Sequence, residues 1–99
     1  MTIITTPKTI TVGESLIKYI DETGYGIEVV LFDLYVHPSE RGEYLGHALI
    51  KAAIKDIIRH GYSKIFIVTE RSLIRYYEKA GFVVTDNQLG EMYWNRRNA

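Results

Sequence analysis

The residues best suited to chemistry lie in one stretch, residues 36–49, which reads VHPSERGEYLGHAL. An apolar run enters this stretch and ends at Pro38, and a helical pattern of apolar residues leaves it. This order predicts a strand, a short loop rich in arginine and glycine, and the start of a helix. A helix start offers unpaired backbone N–H groups and the positive end of the helix dipole, which together favour an anion such as phosphate.

Three side chains in this stretch bear on the phosphate interpretation. Gly42 and Gly46 have no side chain that would hold a ligand away from the backbone amides. Arg41 adds a planar fork of N–H donors that matches phosphate oxygens. The same glycines and Pro38 could instead serve only to turn a strand into a helix. The loop by itself does not separate these two interpretations.

Composition narrows the function classes. The chain has 99 residues, enough for one domain with a modest core. Its 12 basic and 12 acidic residues cancel, which argues against a nucleic-acid-binding protein and against attraction to an anionic membrane. The absence of cysteine excludes disulfides, thiolate zinc sites and a cysteine nucleophile within the chain. The three histidines lack metal-ligand spacing, so no metal is expected.

The remaining patterns predict one α/β domain without repeats or linkers. No apolar run reaches the roughly 20 residues of a membrane span, and no signal pattern opens the chain, so a cytoplasmic protein is the default expectation. Near-continuous apolarity over residues 26–36 and 64–68 predicts central strands covered on both faces. A strand, a helix and a strand in this order predict a parallel pair. Residues 2–6 and 8–12, separated by Pro7, predict an edge strand or two short pieces. The other predicted strands are 15–20, 26–36, 64–68, 82–85 and 91–94, and the predicted helices are 45–60 and 69–80.

A second segment, RYYEKAGF at residues 75–82, completes a recognisable pair of motifs. Together with residues 34–38 and 41–49 it resembles the GNAT superfamily of acyl-CoA-dependent N-acetyltransferases. In that family an Arg/Gln-x-x-Gly-x-Gly/Ala loop at a helix start holds the CoA pyrophosphate. A Tyr-Glu-Lys-x-Gly-Phe helix end follows about thirty residues later. Both motifs occur here in the family's order, and the resemblance covers residues 26–84.

The resemblance implies a fold and a cofactor. The expected fold is α/β (α+β), a GNAT-like mixed and mostly antiparallel central sheet with a parallel, splayed strand pair and two main helices. Residues 1–99 would form a single minimal domain that binds acetyl-CoA. The family usually opens with a strand and two helices that build much of the acceptor site, whereas about a dozen residues without a helical pattern precede the first hairpin here. An open acceptor side suits a lysine or N-terminus on a protein, unless a second copy closes it as a homodimer.

The resemblance also assigns the cofactor-binding residues. The strand end would bind the pantetheine arm, the loop and helix start would bind the pyrophosphate, and Tyr76 would contribute from the second helix unless it is a core residue. Tyr44 replaces a family glycine, so its side chain must either turn outward or narrow the pyrophosphate site. The family's Asn before the second helix is absent, and Glu70 and Arg71 stand there. The full set is Leu34, Tyr35, Val36, Arg41, Gly42, Glu43, Tyr44, Leu45, Gly46, His47 and Tyr76.

For catalysis the resemblance points to Tyr77, which would protonate the CoA thiolate as the amine attacks the thioester. The competing interpretation makes Tyr77 a core tyrosine. Glu28 and Asp33 on the central strand are candidate bases for the amine, or else ordinary surface or paired acids. The alternative function is a non-catalytic GNAT-fold module that binds CoA or a protein, which Tyr44 and the short N-terminal region favour and Tyr77 disfavours.

Overall fold

Six strands form one sheet and two helices pack on it within residues 3–42 and 44–96, the residues that the computed structural model describes. The helices are α1 (Leu45–Arg59) and α2 (Ile74–Glu78), and short 3-10 turns lie at Pro38–Glu40 and Arg71–Leu73. The strands are β1 (Lys8–Val12), β2 (Ser15–Ile20), β3 (Glu28–Tyr35), β4 (Lys64–Val68), β5 (Val83–Asp86) and β6 (Glu91–Asn95).

The strand order of the sheet is β1-β2-β3-β4-β6-β5. β3 and β4 are parallel, and each of the other neighbouring pairs is antiparallel. α1 joins β3 to β4, because parallel strands need a crossover that returns the chain to the same end of the sheet. The expected fold class, a mixed and mostly antiparallel sheet with one parallel pair and two helices, is confirmed.

One face of the sheet and both helices share the hydrophobic core. Side chains alternate across a strand, so every second residue of the central strands points toward the helices. On β3 these residues are Val29 and Leu31, and on β4 they are Ile65 and Ile67, none more than 2% exposed. α1 meets them with a buried stripe at helical spacing, formed by Leu49, Ile50, Ala53, Ile54 and Ile57.

The opposite face of the sheet is only half-buried, so the prediction of strands covered on both faces is wrong for the described residues. The buried hydrophobic residues of α1 and α2 all belong to the core on the other face. On the half-buried face the rings of Phe66 and Tyr93 lie 4.9 Å apart, and Val68 is 63% exposed. The long apolar runs therefore reflect β-propensity and cross-strand pairing rather than full burial.

The second helix is shorter than the predicted 69–80. The backbone N–H of Thr69 donates to the carbonyl of Gly90 at 2.8 Å, which holds Thr69 against the β5–β6 turn and out of a helix. The chain then makes a 3-10 turn before α2, and Gly81 leaves the helical region with φ +100°. A contact between residues distant in sequence therefore overrides the local helical pattern.

The predicted strand at 2–6 is not formed by residues 3–6, and residues 1 and 2 lie outside the described residues. Ile4 is instead bound to two distant groups. Its carbonyl accepts a hydrogen bond from the Asp21 N–H at 2.9 Å, and its own N–H donates to the Tyr62 hydroxyl at 2.9 Å. Lys8–Val12 alone forms the edge strand that Pro7 precedes.

A buried carboxylate joins β1, β2 and α1. Asp56 of α1 is 6% exposed, accepts a hydrogen bond from the Tyr19 hydroxyl at 2.6 Å, and pairs with the Lys8 ammonium at 2.8 Å and with Arg59. Burial by itself raises the pKa of Asp56, but the hydrogen bonds from Lys8, Tyr19 and Arg59 outweigh burial and lower that pKa to about 2. Burial and the bond to Asp56 raise the pKa of Tyr19, which keeps its donor proton.

We expect Asp56→Asn to lower the free energy of unfolding by about 2 kcal/mol at neutral pH, because the neutral amide leaves Lys8 unpaired. The folded-state pKa lies below the ordinary value of 3.8. The ionised carboxylate therefore stabilises the fold above about pH 4, and this contribution is lost as the pH falls toward about 2. Denaturant unfolding across that range should show the difference between wild type and variant shrinking. Exposed Glu22→Gln is the control, and a difference independent of pH would contradict the assignment.

Candidate functional site

β3 and β4 pair over only three residues: Glu28 with Lys64, Val29 with Ile65, and Val30 with Phe66. β3 continues to Tyr35 and β4 to Val68. Beyond Val30 the two strands separate, as expected for a splayed pair. The side of β3 that faces this gap carries backbone N–H and C=O groups that β4 does not pair.

A β-bulge lies on β3 beside the gap. Leu16 of β2 pairs with Tyr35 and Lys18 pairs with Phe32, so β3 has one residue more than β2 in this interval. Asp33, within the bulge, has a left-handed backbone with φ +54°. A bulge changes which face the following side chains occupy and increases the local twist. The strand end that follows, residues 34–36, lines a cavity.

This cavity has a volume of about 560 Å³ and extends from the β3 end to the start of α1. It is lined by residues 34–36, by residues 40–42 and 44 of the loop before α1, by Leu45 and Gly46 of the first helical turn, and by Leu73 and Tyr76. The cavity therefore brings together most of the residues that the sequence predicted for cofactor binding. His47 is half-buried beside it, and Glu43 lies outside the described residues.

The first turn of α1 has no side-chain cap. Tyr44 occupies the N-cap position with φ +58° and makes no side-chain hydrogen bond to the helix amides. Leu45 and Gly46 of this turn line the cavity together with Arg41 and Gly42, so the positive helix end borders it. The Arg41 side chain is exposed, and its Nε donates to the Val36 carbonyl at 3.1 Å, which joins the loop to the end of β3.

Tyr44 borders the cavity at the start of α1. It lines the cavity and is 85% exposed to solvent. The backbone of Tyr44 is left-handed, a conformation that glycine adopts easily and that tyrosine adopts only at a steric cost.

Gly46 and Tyr76 are in close contact. A Cβ on Gly46 would overlap the Tyr76 hydroxyl, so only glycine allows this tyrosine to lie over the helix start. Burial raises the pKa of Tyr76, and the nearby His47 backbone N–H partly offsets that effect. Tyr76 also packs edge-on against the His47 ring at 6.2 Å. Tyr76 is therefore both a cavity-lining residue and a partner of the core.

Tyr77 lies deeper than Tyr76. It is 5% exposed, packs edge-on against Phe82 at 5.5 Å, and does not line the cavity. No hydrogen bond joins its hydroxyl to any of the described residues. Burial, with a smaller contribution from Tyr76, raises its pKa to about 12, so the hydroxyl stays protonated at physiological pH. Its catalytic role stays a prediction.

The two candidate bases do not come together. Glu28 lies in the paired part of β3 on the half-buried face. Burial raises the pKa of Tyr93, and the nearby charge of Glu28 adds to that effect. Asp33 is exposed at the bulge, about 17 Å further along the strand. Asp33 is thus the acid beside the gap.

Two cavity residues were missed by the sequence reasoning. Both Leu73 and Glu40 line the cavity. In the sequence, Leu73 is only an apolar position in a helical pattern, and Glu40 is only an acidic residue before Arg41. Within residues 3–42 and 44–96, no cluster of histidine and acidic residues is arranged to hold a metal ion. No helix in this part of the chain is long and apolar enough to cross a membrane.

Residues 6–93 match the family model described as the acetyltransferase (GNAT) domain. The chain belongs to the GNAT acetyltransferase family. This confirms the family that the two sequence motifs indicated.

Relatives in sequence agree with the GNAT assignment. The chain is 28% identical over 72 residues to the uncharacterized N-acetyltransferase ycf52 of Porphyra purpurea, a match that covers 73% of this chain and 41% of that protein. It is 23% identical over 70 residues to the histone acetyltransferase TAP1 of Glycine max, covering 71% of this chain and 30% of that protein. The matches thus span less than half the length of these relatives.

Solved structures agree with the GNAT fold. Escherichia coli ElaA superposes with a TM-score of 0.72 at 17% identity, covering 82% of this chain and 60% of that one. The acetyl-CoA complex of yncA from Salmonella typhimurium gives a TM-score of 0.71 at 24% identity, covering 83% and 57%. The coenzyme A complex of the paia N-acetyltransferase from Thermoplasma acidophilum gives 0.66 at 23%, covering 82% and 52%.

We expect Tyr44→Gly to raise the free energy of unfolding by about 1 kcal/mol, because glycine adopts this left-handed backbone without the steric cost that tyrosine bears. Tyr44→Ala is the matched control, since it removes the ring but keeps the Cβ and should give no comparable gain. Denaturant unfolding measures both variants. Equal stabilisation by alanine and glycine would show that the exposed ring, and not the backbone, is responsible.

Proposed function

We propose that this chain is an N-acetyltransferase that moves an acetyl group from acetyl-CoA to a primary amine by direct attack in a ternary complex. Residues 1–99 act as one minimal GNAT-type domain in this proposal. The observation that carries it is the cavity of about 560 Å³ that runs from an uncapped helix start to the end of β3, beyond the last residue that β3 pairs with β4. Structures of this fold with CoA or acetyl-CoA bound support the choice of cofactor.

The start of α1 would hold the CoA diphosphate. Backbone amides of the loop and of the first turn supply N–H donors, the helix dipole supplies a positive potential, and Arg41 supplies a guanidinium. Gly42, with φ +86°, leaves open space where a side chain would project. Gly46 and the backbone of Leu45 and His47 complete this part of the site.

The β3 end would hold the pantetheine arm. Pantetheine contains two amide groups that can pair with backbone N–H and C=O groups as a neighbouring strand does. β4 leaves such groups unpaired on β3 beyond Val30. Leu34, Tyr35 and Val36 line the cavity at this point, and Tyr76 lies across from them. An arm bound here carries the thioester into the gap.

In the reaction the amine nitrogen attacks the thioester carbonyl, the C–N bond forms, and the C–S bond breaks with the thiolate as leaving group. Tyr77 would donate a hydrogen bond to that sulfur. Full proton transfer from a hydroxyl with a pKa of about 12 to a thiolate with a conjugate-acid pKa of about 8.5 costs about 5 kcal/mol. Tyr77 therefore stabilises the developing charge, and the proton lost by the attacking nitrogen finally neutralises the thiolate.

A base must first remove a proton from the amine, because a lysine ammonium has a pKa of about 10.4. Asp33 is the better candidate of the two acids, since it lies beside the gap at the bulge, while Glu28 lies in the paired part of the strand. Either acid would act through water. Glu28 would lie farther from the gap than Asp33, and it would contribute negative charge on the half-buried face.

The acceptor would be a lysine or N-terminus of a protein. The exposure of Val68 on the half-buried face favours an acceptor that approaches from that side, and a relative named as a histone acetyltransferase is consistent with a protein acceptor. A cytoplasmic setting and a homodimer stay predictions from the sequence.

A non-catalytic CoA-binding or protein-interaction module is the second candidate. The specific observation in its favour is that Tyr77 is buried and does not line the cavity. A module of this kind would bind acetyl-CoA without turnover.

We expect Arg41→Ala to weaken acetyl-CoA binding about ten-fold or more, because charge-assisted bonds to the diphosphate are lost. The acetyl-CoA affinity of Arg41→Lys should lie between those of wild type and Arg41→Ala, since lysine keeps the charge but loses the planar fork. Calorimetric titration measures the affinities, and Arg75→Ala, an exposed arginine outside the cavity, is the matched control. Failure of the wild-type chain to bind millimolar acetyl-CoA would overturn the enzyme proposal.

We expect Tyr77→Phe to reduce kcat roughly 10- to 100-fold while the affinity for acetyl-CoA stays the same. The variant should remain folded, because the hydroxyl makes no hydrogen bond to the described residues. Tyr76→Phe is measured beside it. Acetylation of a set of lysine peptides gives kcat, and calorimetry gives affinity. If Tyr76→Phe alone loses rate, the donor is Tyr76, and turnover by neither wild type nor variants would favour the binding module.

A further inference from the structure

We infer that Glu40 is a positioning residue that holds the cofactor loop against the turn between β1 and β2. This inference rests on the proposed acetyl-CoA site. Glu40 closes the 3-10 turn Pro38–Glu40, directly before Arg41, and it lines the cavity. Its carboxylate does not point to a cation within the described residues. It accepts hydrogen bonds from donors at the turn between β1 and β2.

The contacts of Glu40 are specific. Its Oε1 accepts a hydrogen bond from the Ser15 hydroxyl at 2.7 Å and another from the Glu14 backbone N–H at 3.1 Å. Ser15 is fully buried, and its oxygen also accepts a hydrogen bond from the His37 N–H at 2.9 Å. One serine thus binds both ends of the 3-10 turn, and burial makes these bonds costly to lose.

Gly13 makes room for this carboxylate. A Cβ at Gly13 would overlap the Oε2 atom of Glu40, and Gly13 has φ +60°, a backbone region that suits glycine. A second link runs beside it, because the His37 ring nitrogen Nε2 lies 3.0 Å from a carboxylate oxygen of Glu14. The turn at residues 13–15 therefore matches the loop in shape and in hydrogen bonding.

The sign of the charge on Glu40 argues that it positions the loop and does not bind ligand. A carboxylate lining a site for a diphosphate repels it. Glu40 would weaken cofactor binding by charge alone, so a benefit to binding must come from ordering the loop that carries Arg41 and the helix amides. A loop that occupies its binding conformation only part of the time loses affinity in proportion to that fraction.

The decisive variants are Glu40→Ala and Glu40→Gln. Glu40→Ala removes both bonds and the charge, and we expect acetyl-CoA binding to weaken about ten-fold. Glu40→Gln keeps the acceptor oxygen and removes the charge, so it should bind as tightly as wild type or tighter. Ser15→Ala should weaken binding in the same direction as Glu40→Ala. Calorimetric titration measures all three, and Glu22→Gln, an exposed acid in another turn, is the control.

A cofactor-free measurement separates this inference from the proposed function. Amide hydrogen exchange at residues 37–41 should be faster in Glu40→Ala than in wild type and unchanged in Glu40→Gln. Tighter or unchanged acetyl-CoA binding by Glu40→Ala overturns the inference, and so does unchanged exchange at the loop. If wild type binds no acetyl-CoA, the proposed function fails and the effect on affinity fails with it, whereas faster exchange would still support the contact as the restraint on the loop.

Discussion

The separation of β3 from β4 after three paired residues is the constraint on which the rest of this molecule depends. If β3 and β4 paired along their whole length, the backbone N–H and C=O groups at the end of β3 would bind β4, and the sheet would have no gap. The bulge at Asp33 lies where the separation develops, and the added twist of a bulge turns the strand end away from its neighbour. The position of that strand end determines where the loop, the uncapped start of α1 and the cavity lie.

Around this gap the chain keeps local conformations that cost stability. Tyr44, in the loop before α1, holds a left-handed backbone and exposes an aromatic ring, and Asp33 holds a left-handed backbone at the bulge. Such conformations persist where the surrounding contacts determine them, as the bonds among Ser15, His37 and Glu40 do for the start of this loop. A buried ion pair lies elsewhere in the fold, where Asp56 of α1 pairs with Lys8 of β1 and accepts a hydrogen bond from Tyr19 of β2.

Local signals predicted the elements that local physics decides. β2 and β4 begin and end at the predicted residues, and α1 ends one residue before the predicted His60, followed by Gly61 with φ +91°. Contacts between distant residues decided the rest. Thr69 is held by Gly90, which shortens the second helix, and Glu40 is held by Ser15, 25 positions away. The bulge at Asp33 gave no signal, because an aspartate within an apolar strand looks like any polar interruption. Most cofactor-site residues could be predicted because two motifs of fixed spacing mark them, whereas the depth of Tyr77 depends on packing that no spacing records.

The position of β6 in the sheet has a consequence for how the molecule is assembled. β6 is the final strand in chain order among the described residues, yet it lies between β4 and β5 and contributes the buried side chains of Met92 and Trp94. During synthesis the sheet therefore keeps an open internal slot until residues 91–95 have left the ribosome, and β5 has no strand to pair with before that moment. Completion of the core waits for this strand, and a chain released before residue 91 would lack an inner strand of the sheet and not merely an edge.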